Sequence, residues 1–131
     1  MAFQAVFAPK MPIALLAGLQ IRSLTAEKAV VSIPFKWLSQ NPFKSVYFAT
    51  QAMAAEMSTG VLGMMAIQGA THRVSMLVLK LEASYTKKAS ERVYFTCENG
   101  EEIISAVYKT LSDGEGHNGK LQIHRQIKGW H

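Results

Sequence analysis

Apolar and polar positions alternate along this chain with two different periods, and the switches between them mark its elements. The longest helical pattern begins near Asn41. From Ser45 to Thr71 the only charged residue is Glu56, set in a run of apolar and small side chains. Asn41 suits a helix N-cap, and Pro42 suits the first turn, where its missing N–H costs nothing. Ala49, Ala52, Met53, Glu56, Gly60 and Gly63 then recur at three- and four-residue steps and share one stripe. The spacing predicts a long central helix wrapped by other structure, with one carboxylate among small and apolar groups.

Period-two segments lie on both sides of it. Residues 20–24 and 28–35 read as two short strands joined by Thr25, Ala26 and Glu27, with Pro34 placing the second strand's end at an edge. Residues 73–87 set Leu77, Leu79, Leu81, Ala83 and Tyr85 against Lys80, Glu82, Ser84 and Thr86, the pattern of a long strand with one wet face. Residues 91–98 turn Val93, Phe95 and Cys97 inward, and residues 120–128 alternate Leu121, Ile123, Arg125 and Ile127 against polar neighbours. Between them, Ile103, Ile104, Val107, Tyr108 and Leu111 have helical spacing, with Glu101 and Glu102 in the first turn and Lys109 in the last. The macrodipole favours that order, so a second helix is expected over 101–111. A short helix after Pro12 is expected to pack Ile13, Leu15, Leu16 and Leu19 on the core, and Phe35, Trp37 and Phe43 to close over the central helix's start.

Composition narrows the class. With 131 residues, 49% of them hydrophobic and 18% charged, the chain fits one domain over 1–131 with a core of its own. A single cysteine, Cys97, excludes an internal disulfide, and a reducing, cytoplasmic compartment is expected. The net charge of +5 is spread along the sequence rather than gathered into a nucleic-acid footprint. Residues 11–19 resemble a signal core but lack its flanks and cleavage site, and Glu56 with its polar neighbours argues against a membrane span over 45–71.

Candidate chemistry reduces to one residue. The run from Gly114 to Gly119 spells G-x-G-x-x-G, but a helix precedes it and a strand follows, the reverse of a dinucleotide site. His72, His117, His124 and His131 share no metal-ligand spacing with each other or with Cys97, so neither metal nor cofactor is expected. Glu56 has two readings: a structural carboxylate at a seam, or a general base or nucleophile whose pKa rises with burial.

A resemblance bears on that choice. Phenylacetate-pathway thioesterases of the hotdog superfamily carry N-x-x-G-x-x-H-G-G at the start of the central helix, with a catalytic acid nine residues after the histidine. Asn41 falls at the asparagine position, and Glu56 lies nine residues after Tyr47, at the histidine position. Lys44, Phe48 and Ala49 replace the motif's glycines. The chain resembles most an uncharacterised thioesterase-like branch of that superfamily, in Pro34-Phe35-x-Trp37, Asn41-Pro42-Phe43, Ala83-Ser84-Tyr85 and the stretch from Val93 to Gly100.

The resemblance implies an α+β hotdog fold, a curved antiparallel sheet around a long central helix, with an additional helix late in the chain. It implies hydrolysis of an acyl-CoA or related thioester, with Glu56 and Asn41 as catalytic residues. Phe48 and Ala49 would bind substrate through backbone amides at the helix start, and Tyr47 would donate a hydrogen bond in place of the motif's histidine. It also implies a homodimer or homotetramer. A non-catalytic acyl-ligand-binding or structural dimer is the alternative, since side chains at Phe48 and Ala49 restrict close approach to the backbone.

Overall fold

The computed structural model describes residues 10–68, 74–117 and 119–127. His72, Arg73, Asn118, Lys128 and His131, which entered the sequence reading, lie outside them. Four strands pair antiparallel in the order β1 (Gln20–Leu24), β2 (Ala29–Ile33), β3 (Val93–Cys97) and β4 (Ile123–Ile127). Each falls inside a segment whose alternation predicts it. Rows of partners cross the sheet, as where Ile33 faces Val93 and Val93 faces Ile127, so that apolar side chains gather on one face. A bulge between Ile21 and Ser23 shifts the register of β1 and strengthens the local twist.

That face packs on α2 (Phe48–Ile67), the central helix; the short α1 (Pro12–Ala17) precedes β1. Ala54, Met57, Val61 and Leu62 of the helix meet Ala29, Val31, Ile33, Val93, Phe95 and Cys97 of the sheet, all buried. Each large aliphatic residue buried there contributes about 1.5–3 kcal/mol. Ser58 is fully buried without an outside partner because its hydroxyl bonds back to the Ala55 carbonyl at 2.6 Å. A further helix, α3 (Gly100–Asp113), covers α2 with Ile103 and Val107, carries Glu101 and Glu102 in its first turn, and stops at Gly114 in the left-handed conformation.

Four expectations are corrected. The central helix starts at Phe48, not near Asn41, because Asn41 is spent on a loop: its Oδ1 accepts from the N–H groups of Phe43 at 2.9 Å and Ser45 at 3.2 Å, and from the Ser45 hydroxyl at 3.1 Å. Asparagine and proline build turns as readily as helix starts. Trp37 and Phe43 stand 80% and 76% exposed instead of closing the core. The chain turns about Ser39, whose buried hydroxyl donates to the Pro34 carbonyl and accepts from the Lys36 N–H, and this directs Trp37 outward. In α1 the small Ala14 and Ala17 face the core and Ile13, Leu15 and Leu16 face out; of the predicted four only Leu19 is buried.

The fourth concerns 74–90. No helix or strand forms there among the described residues, and Leu77, Leu79 and Leu81 are 82%, 68% and 57% exposed. The alternation is real but has no ladder to join.

Candidate active site on the central helix

The helix start is held from two sides. Tyr47 N–H donates to the Ser39 carbonyl and Val46 N–H to the Ala89 carbonyl, both at 2.8 Å, which fixes the chain just before the first turn. Tyr47 is the N-cap, in extended conformation and with no side-chain cap; its carbonyl takes the N–H groups of Thr50 and Gln51. Phe48 and Ala49 are the next two residues, and their N–H groups have no hydrogen-bond partner among the described residues. Two unsatisfied donors at the positive end of a 20-residue helix form a ready site for a carbonyl oxygen that gains negative charge.

Tyr47, Phe48 and Tyr85 surround these donors as a partly exposed aromatic cluster, with ring centroids 5.0 and 6.4 Å apart and edge-to-face packing. Beneath lies a pair that sequence reasoning missed. The buried Gln51 donates to the Val46 carbonyl at 3.0 Å and accepts from Arg125 Nη1 at 2.8 Å. Arg125 also donates to the Lys87 carbonyl at 2.8 Å and lies over the Tyr85 ring at 5.9 Å. One guanidinium thus joins β4, the first turn of α2 and the 85–87 segment. Its signal was an arginine at an inward position of the last strand.

Arg125→Ala would strip Gln51 Oε1 of its partner in a buried setting. We expect a loss of about 1–3 kcal/mol in urea unfolding, with Arg125→Lys recovering less than half because an ammonium cannot reproduce the two-armed geometry.

Glu56 sits on the other candidate surface. Ala49, Ala52, Met53, Glu56 and Gly60 are half-buried and Gly63 at the stripe's end is buried, so this chain's own sheet leaves most of the stripe that carries the carboxylate partly open. The carboxylate lies over Gly60, where a Cβ would stand 3.5 Å from Oε1. It forms no hydrogen bond or ion pair with a described residue, and burial pushes its pKa above the ordinary 4.5. Eight residues separate Phe48 from Glu56, a rise of ~12 Å along the helix. One chain therefore does not bring the carboxylate to the free amides.

Among the described residues no three His, Cys, Asp or Glu side chains converge as a metal site, and no helix is long and apolar enough to cross a membrane. A shallow hollow on the outer face of α3, lined by Glu101, Ser105, Tyr108 and Lys109 among others, contains none of the residues nominated from the sequence.

The domain of unknown function DUF4442 matches residues 1–128, nearly the whole chain. The chain belongs to the DUF4442 family. No curated protein matches its sequence. Among solved structures this DUF4442 chain is similar to a protein of unknown function from Chlorobaculum tepidum TLS, with a TM-score of 0.81 at 16% identity over 95% of this chain and 77% of that one. It is also similar to a candidate thioesterase from Shewanella oneidensis, at TM-score 0.77 and 12% identity over 95% and 84%. A third is a variant of a thioesterase from Staphylococcus aureus subsp. aureus Mu50, at 0.66 and 17% over 92% and 89%. At such identities the likeness establishes the fold, and it is the hotdog fold.

Proposed function

We propose that this DUF4442 protein hydrolyses thioesters, an acyl-CoA or a related compound, in the cytoplasm and as an assembly of at least two copies. The observation that carries the reading is the pair of unsatisfied amides at Phe48 and Ala49, on the same helix as a half-buried carboxylate with a raised pKa. The amides receive the thioester carbonyl oxygen, and Glu56 attacks the carbonyl carbon or takes a proton from the attacking water. The ~12 Å between them within one helix favours a site whose two parts come from different protomers, with a homodimer as the smallest complete enzyme.

Solved relatives add support. The Staphylococcus aureus thioesterase has been altered at a glutamine and at a glutamate fifteen positions apart, the interval that separates Asn41 from Glu56 here. In this chain Asn41 shapes the loop before the helix through its Oδ1, so its contribution to catalysis is to hold the free amides in place. That commitment also favours a second reading, an acyl-ligand-binding dimer without turnover.

Free-thiol release from short, long and aromatic acyl-CoA thioesters separates the two. Hydrolysis of one class by the wild type supports the enzyme, whereas ligand retention with no thiol released across the panel selects the binder. Phe48→Pro tests the amides directly. Tyr47 already has the extended conformation that precedes proline, and proline suits the first helical position, so the helix survives while one donor is lost. We expect turnover to fall about 10²-fold, with Phe48→Ala, which keeps the N–H, as the control for the ring.

A further inference from the structure

We propose that the end of the molecule formed by α1, the 37–39 turn and the 41–45 loop docks on a bilayer surface rich in anionic lipid. The three parts lie together. Gln20, the first residue of β1, pairs with Ser32 near the end of β2, so the chain before β1 and the chain after β2 leave the sheet at the same end. There α1 packs against the 37–39 turn, and a Cβ on Gly18 would stand 2.9 Å from Lys36 Nζ. A bridge between Gln40 and Val46 closes the base of the 41–45 loop beside that turn.

In each part the local structure directs large apolar side chains outward. Ala14 and Ala17 take the inward positions of α1, which leaves Ile13, Leu15 and Leu16 more than half exposed. The buried Ser39 turns Trp37 and Leu38 out, and the hydrogen bonds of Asn41 Oδ1 brace the loop that carries Phe43. Single apolar residues on a surface are ordinary, whereas six gathered at one end of the molecule mark an interaction site. Charge names the partner. No Asp or Glu occurs in residues 10–24 or 28–55, and the exposed Lys10, Lys36 and Lys44 border the apolar residues without an ion pair to any described residue. An apolar protein surface would bury those ammonium groups unpaired, at a cost. Anionic headgroups meet them, while Trp37 and Phe43 enter the boundary between headgroups and acyl chains. Such a contact is peripheral and requires no spanning helix, which the described residues lack.

Vesicle co-sedimentation of the full chain tests the docking. The protein should bind phosphatidylcholine vesicles that contain about a third phosphatidylserine and should not bind pure phosphatidylcholine, and binding should fall as salt is raised. Lys36→Gln and Lys44→Gln should each weaken partitioning about fivefold, and Trp37→Ala and Phe43→Ala about tenfold. Tyr108→Ser, on the exposed outer face of α3, should leave it unchanged. All five positions are exposed, and urea unfolding checks that each variant keeps its fold. With Trp130→Phe the one remaining tryptophan is Trp37, whose emission should shift to the blue on binding and be quenched by brominated acyl chains.

No binding to the anionic vesicles, or binding that survives loss of Trp37 and Lys36 together, would overturn the proposal. So would variants of these residues that lower the sedimentation coefficient of the protein without lipid, a result that gives the surface to a contact between copies. Thiol release reports on the other claim. Vesicle binding by a protein inert toward every thioester would keep docking and discard hydrolysis, and turnover of soluble thioesters without vesicle binding would do the reverse.

Discussion

We expect Glu56→Gln to abolish the proposed thioester hydrolysis and to leave the protein folded. The substitution keeps shape and removes the only charge on the central helix, so the loss expected is that of a general base or nucleophile, about 10²–10⁴-fold in turnover. Because burial raises the Glu56 pKa above 4.5, the acid limb of the wild-type pH–rate profile should lie above the ordinary glutamate range. The same shift has a sign for stability. Between 4.5 and the native pKa the folded state holds a proton that the unfolded chain has already released, so wild-type stability falls as pH rises through that window. Glu56→Gln lacks this slope. It should be more stable than wild type at neutral pH, and the difference should close below pH 4.5, as measured by urea unfolding across pH. Equal turnover in the two proteins would take Glu56 out of the chemistry, while the stability crossover would still report its burial.

Gly100→Ala is expected to be among the most damaging small changes in the chain. Gly100 opens α3 directly against the β1–β2 turn, donating its N–H to the Glu27 carbonyl at 3.1 Å. A Cβ there would collide with the Ala26 carbonyl oxygen and stand 2.7 Å from Glu27 Cα, and neither contact is a flexible side chain that can move aside. The helix and the turn must separate, which overpacking of this kind sets at about 3 kcal/mol. Gly116→Ala, with nothing within 4 Å of its added carbon, serves as the control in the same denaturant titration.

The two predictions draw on different kinds of legibility. Glu56 stood out in the sequence as a lone charge in a long apolar stretch. Gly100 did not, because its constraint comes from a turn more than seventy positions earlier that packs on it only in the folded chain. Arg125 is intermediate. Its place among the inward positions of the last strand was visible, and its partner Gln51 was not, because the 74-residue separation is closed only by the sheet. Asn41 illustrates local ambiguity: Asn-Pro begins turns and helices with equal ease, and the hydrogen bonds to Phe43 and Ser45 decided for the turn.

By itself the sequence determined the elements, because hydrophobic periods of two and of about three and a half residues are properties of neighbouring positions. It placed four strands and the late helix within a few residues, found the body of the central helix but not its start, and singled out Glu56. Tertiary structure decided the relations between elements: the helix start at Phe48 with its two free amides, the half-open stripe around Glu56, and the stranding of 76–86 in solvent despite its alternation. A period states which side chains share a face. Only the packed chain states whether that face meets its own sheet or is left for another molecule.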